Sequence, residues 1–166
     1  MLRQFCAGLA FVFAFTGPSS AATVDPFSSG NWSGGAVIDG GKFLYCRAWA
    51  PYINRWDLVF SLDQAGYFSL LLRRHDLDLL GDMIFGNKTV IRMQIDDTPL
   101  VMRPFTAVAP RILETKFATN LDWVKRLSTG KALRINFGSR LYRFPLAGAK
   151  EAMELLNACA AKHRAA

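Results

Sequence analysis

Between Leu133 and Phe144 two runs of alternating apolar and polar residues meet at Gly138-Ser139. Glycine in the first position of a two-residue turn supplies the positive φ that a tight antiparallel hairpin needs. Such a turn sets Ile135 opposite Tyr142 and Leu133 opposite Phe144, and all four are apolar members of the two runs. Turn chemistry and hydrophobic phase therefore choose the same register; a slip of one residue would turn the apolar set to water. A lone hairpin is marginal in water, so the chain must supply more sheet to cover this one.

It supplies a good deal. Tyr67–Arg74 and Val90–Asp96 read as strands joined by an acidic hook, His75–Asp82, with Ile91, Met93 and Ile95 on one face of the second. The flanking segments read as strands added to that pair. Trp32–Ile38 is one, weakened by Gly34-Gly35, which marks a bulge or a close backbone approach. Asp39-Gly40-Gly41-Lys42 turns the chain into Phe43–Ala50. In Trp56–Asp63, Trp56, Leu58, Phe60 and Leu62 alternate with polar residues, and only Val59 is out of phase. Leu100–Phe105 and Ile112–Phe117 follow, and Pro104 and Pro110 assign them to a sheet edge. A short helix is expected over 120–129, capped by Thr119 or Asn120 and stopped by Gly130. A C-terminal helix over 149–162 places Ala152, Leu155, Leu156 and Cys159 on one side. The fold class is mainly β: a single-domain antiparallel β-sandwich or flattened barrel of about eight to nine strands with two helices.

Met1–Ala22 has the form of an export signal: Arg3, an apolar run from Phe5 to Phe15, then Gly17-Pro18 and small residues up to Ala22. The run is too short to span a bilayer. Cleavage after Ala22 leaves residues 23–29 as a flexible leader and 30–166 as one β-rich domain, with no membrane-crossing segment in the mature chain. The destination is the periplasm, with secretion as the alternative. Cys6 leaves with the signal, and Cys46 and Cys159 remain. An even count in an exported chain points to a disulfide, with two buried thiols as the competing reading. The bridge would close a loop of roughly 110 residues, for which chain entropy gives roughly 4 to 5 kcal/mol.

The formal charge of the whole sequence is +7, and the basic residues crowd between Arg92 and Arg143, Arg103 and Arg111 among them. Arg134 and Arg143 share the outward face of the last hairpin, with Lys125, Arg126 and Lys131 just before it. These five are the candidate surface for an anionic envelope component or another envelope protein; the competing reading is a solvated sheet face. Export and the lack of a recognition motif exclude nucleic acid. His75, Asp76, Asp78 and Asp82 raise the alternative of a periplasmic hydrolase, yet a metal site needs three or four converging ligands and the other histidine, His163, lies near the C-terminus. No metal or cofactor is expected. No serine stands in a Gly-x-Ser-x-Gly elbow, so no catalytic residue is assigned and a non-enzymatic role is expected.

From Gly66 to Cys159 the order and spacing of several short motifs resemble the invasion-associated locus B family of bacterial periplasmic proteins. They are Leu79-Leu80-Gly81, Ile91–Asp96, Pro104-Phe105, Leu127-Ser128-Thr129-Gly130 and Phe144-Pro145-Leu146-Ala147-Gly148 before an alanine-rich helix. Family members often carry a cysteine pair after the Pro-Phe position, where this chain has Val108 and Ala109. The resemblance implies a β-rich envelope protein connected by name with host-cell invasion, and it supplies no catalytic residue.

Overall fold

The alternating runs sort their side chains onto the two faces of one large sheet. The computed structural model describes residues 21–52, 55–75, 86–117 and 121–165. The strands are β1 (Ala22–Ser29), β2 (Trp32–Asp39), β3 (Lys42–Pro51), β4 (Trp56–Asp63), β5 (Phe68–Arg74), β6 (Lys88–Ile95), β7 (Val101–Ala109), β8 (Ile112–Lys116), β9 (Ala132–Phe137) and β10 (Arg140–Pro145). The helices are α1 (Leu121–Thr129), between β8 and β9, and α2 (Ala149–Arg164) at the C-terminal end. All pairings are antiparallel, in the order β1-β2-β3-β4-β5-β8-β7-β6-β9-β10.

The sheet curls over on itself without closing, a flattened barrel in which β9, β10 and the turn after them face the starts of β2 and β4. Side chains hold the seam: Trp32 donates its indole N–H to the Ala147 carbonyl at 3.0 Å, and the Tyr52 hydroxyl donates to the Pro145 carbonyl at 2.6 Å. Trp56 packs edge-on against Phe137 and Tyr142 across the same gap. Burial pushes the Tyr52 phenol up to about 12. Inside lie Phe60, Leu70, Phe105, Leu113 and Phe144, all buried; removing such a side chain from water contributes roughly 2 kcal/mol. The apolar side of α2, with Ala152, Met153, Leu156 and Cys159, covers β1 to β4 and touches α1.

Local signals are realised closely. β9 and β10 pair with Ile135 opposite Tyr142 and Leu133 opposite Phe144, and Gly138 takes φ 60 in the turn. Gly34 is a close approach: a Cβ there would lie 2.2 Å from the Phe27 ring and 2.5 Å from the Arg47 carbonyl oxygen. The proposed caps of α1, Thr119 and Asn120, lie outside the described residues.

Three expectations are corrected. Residues 23–29 are not a loose leader but most of β1, which pairs with β2 and brings the strand count among the described residues to ten. The strand is polar because it is an edge with both faces largely in water, so periodicity is silent there. β5 and β6 are not neighbours: β5 pairs with β8, and β6 lies between β7 and β9. The strands bearing Pro104 and Pro110 were expected at an edge, yet β7 and β8 are interior. Pro104 is tolerated because the β7–β8 ladder reaches only to Thr106, leaving β7 one partner at that point, and Pro110 falls in the connecting turn.

Candidate functional site

The cationic candidates gather around the start of β9. Arg134 and Arg143 are directly opposite on β9 and β10 and point outward. Lys131 stands exposed just before β9, and Lys125 and Arg126 lie exposed on the last turns of α1. Arg126 lines a shallow cleft with Thr98, Pro99, Val101, Asp122 and Trp123. That places the side of α1 bearing Asp122 and Arg126 beside the turn that follows β6.

Two carboxylates temper this strip. Asp96, at φ 49, opens the turn after β6 and accepts the backbone N–H of Lys131 at 2.9 Å and of Ala132 at 2.9 Å. The Lys131 amide foremost, opposed in part by desolvation, holds the Asp96 carboxyl below the usual range. Arg134 donates to the Asp96 carbonyl at 3.0 Å and lies 3.9 Å from the carboxylate of Asp97, which is fully exposed. Asp96 thus serves the backbone, while Asp97 meets Arg134 at the solvent edge, where an ion pair is worth little.

Not every basic residue belongs to this surface. The Arg103 guanidinium sits 4.9 Å from the Phe117 ring and 5.9 Å from Trp123, a cation–π stack beside the core.

Of the acidic hook only His75 is among the described residues; Asp76, Asp78 and Asp82 lie outside them. His75 Nε2 is 2.8 Å from Asp57 Oδ1, and Arg73 donates to Oδ2 from Nε at 2.7 Å and from Nη2. Asp57 is 1% exposed. A buried carboxylate has to be paired, and the β4–β5 register meets that need by setting Asp57 opposite Arg73. Alternation marks Asp57 only as a polar member of its strand, and the partners that allow its burial are remote along the chain. Among the described residues no three His, Cys, Asp or Glu side chains converge as metal ligands would.

A groove that the sequence did not announce runs over the outer face of β3, β4, β5 and β8, with a volume of about 330 Å³. Val59 and Leu71, opposite each other, form its apolar floor, and Arg47, Arg73, Lys116, Asp63 and Glu114 stand around it. Val59 was the clue, the one apolar residue out of phase in its strand.

Cys46 on β3 and Cys159 on α2 are joined, with Cα atoms 6.2 Å apart. The last turns of α2 are tied down as well. Asp25 on β1 accepts from Lys162 at 2.8 Å and pairs with His163 at 2.8 Å, while Arg164 donates to the Asp63 carbonyl at 2.9 Å. The Lys162 hydrogen bond leads the effects that hold the Asp25 carboxyl low. No helix among the described residues is long and apolar enough to cross a membrane.

These features define a small mainly-β protein: a curled antiparallel sheet, a C-terminal helix bound to it by a disulfide, and a cationic outer strip. Among solved structures, the crystal structure of invasion associated protein B from Bartonella henselae shares this fold. It superposes with a TM-score of 0.59 and 20% identity, over 82% of this chain and 97% of that one. The fold is thus the one implied by the family resemblance in the sequence. No family model matches the chain, and no curated protein sequence matches it.

Proposed function

We propose that this chain is an exported, non-enzymatic envelope protein that attaches to an anionic component of the envelope through Lys125, Arg126, Lys131, Arg134 and Arg143. The observation that carries this reading is the placement of Arg134 directly opposite Arg143 on an outward face. Like charges so placed repel each other, which makes them poor sheet formers and ready receivers of an anion. Export is supported by the signal-like residues 1–22 and by β1, whose pairing from Thr23 onward survives cleavage after Ala22. The destination proposed is the periplasm. A host-facing role draws on the name of the Bartonella protein that shares the fold. The non-enzymatic reading draws on the sequence, to which no catalytic residue is assigned.

The test uses the mature chain, residues 23–166, sedimented with vesicles at low salt. Binding to anionic vesicles should exceed binding to neutral ones, and the combined variant K131Q/R134Q/R143Q should abolish the difference. If that variant binds as the parent does, the strip is only a solvated face.

A further inference from the structure

The strip continues into a face that charge alone does not reveal. On the outward side of β7, β6, β9 and β10, Met102 stands opposite Arg92, Arg92 opposite Asn136, and Asn136 opposite Leu141. That row crosses four strands, a width of about 14 Å at ordinary strand spacing. Along one side of it runs the row Gln94, Arg134, Arg143; along the other, Val90 stands opposite Pro104. Val90, Met102 and Leu141 each keep 64% of their surface in water. Single exposed apolar side chains are ordinary on a protein surface. Three of them set among Arg92, Arg134 and Arg143, in rows that contain no carboxylate, form a mixed face. Asp97 touches it only at the margin, through Arg134.

This pattern distinguishes between kinds of anion. A dissolved polyanion would engage the arginines and leave Val90, Met102 and Leu141 wet. A phospholipid surface offers both halves of the match: phosphates at the depth of the guanidinium groups and the acyl boundary a few ångströms below. The attraction of each cation to an anionic leaflet adds to the apolar burial. Resting on the cationic reading above, we infer that this face docks on an anionic phospholipid bilayer. Arg92, Arg134 and Arg143 meet the phosphates, and Val90, Met102 and Leu141 enter the acyl boundary.

The experiment compares the mature chain, the serine variant V90S/M102S/L141S and the glutamine variant K131Q/R134Q/R143Q. Vesicles are of phosphatidylglycerol with phosphatidylcholine, or phosphatidylcholine alone, each at low and high salt. The parent should keep a salt-resistant fraction on the anionic vesicles. The serine variant should still bind at low salt but partition at least about tenfold less at high salt, because its apolar contribution is gone. A fluorophore on L141C should shift to the blue on those vesicles, a readout that needs no triple variant to fold. If the serine variant matches the parent at high salt, or the label stays at its aqueous emission on bound protein, insertion is refuted while the charge reading stands. If the glutamine variant binds as the parent does, the charge reading itself falls.

Discussion

Removing the bond between Cys46 and Cys159 tests how α2 is held. The bond spans 113 residues of sequence. Cross-linking a loop of that size takes about 5 kcal/mol of chain entropy from the unfolded state. For a mature domain of about 140 residues, unfolding entropy near 2 cal/mol/K per residue turns that into a drop of roughly 17 °C in Tm. Cys46 is fully buried and Cys159 is 8% exposed, so alanine replaces them better than serine, which would place a hydroxyl against the core. C46A, C159A and the double variant should lose similar amounts, because each loses the same link. Calorimetry and guanidinium titration of the three proteins, alongside a thiol count on the native parent, provide the measurement. Two reactive thiols in the parent, or a double variant melting within a few degrees of it, would refute the reasoning. The second outcome would mean that the packing of Ala152, Met153 and Leu156, with the Asp25 contacts, holds α2 without the bond.

Two further outcomes follow from the geometry. Gly34→Ala should cost about 2 kcal/mol, read as a lower guanidinium midpoint, because the new methyl meets both the Phe27 ring and the Arg47 carbonyl. Adding F27A should recover only part of this, since the carbonyl remains; an unchanged midpoint for the single variant would show that the strands can separate freely. Asp96 has a carboxyl held low in the fold, so its contribution is present above the unfolded carboxylate pKa and is lost as pH falls through the folded one. D96N should therefore flatten the acid limb of a stability–pH curve below about pH 4; an identical limb in the variant would remove Asp96 from the account.

What the sequence disclosed was local. Gly138-Ser139 and the phases of Ile135 and Tyr142 are close along the chain, and they define β9–β10 down to the register. The alternation of Ile91, Met93 and Ile95 told which face of β6 is buried, but not which strands lie beside it. Adjacency is fixed by packing across the whole sheet, so β5 took β8 as its partner rather than β6. Asp57, Arg73 and His75 likewise come together only through the β4–β5 register. The cationic residues were visible one by one. That Arg103 turns to Phe117 while Arg92 joins Met102 and Leu141 depends on strand faces and neighbours that charge does not encode.

An open barrel has two edges, and each presents unpaired backbone groups to any other strand that comes near. Here the edges are β1 and β10. β1 is irregular, with a register shift between Val24 and Phe27 that contains Asp25 and Pro26. β10 carries Arg140 and Arg143, both exposed, and ends at Pro145. Bulges, prolines and charges of this kind keep sheets from extending into one another and so keep a protein dispersed at high concentration. Arg143 therefore answers to two demands, the anion it would meet and the neighbouring molecules it turns away, and an uncharged residue there would make the chain more prone to aggregate even where nothing is bound.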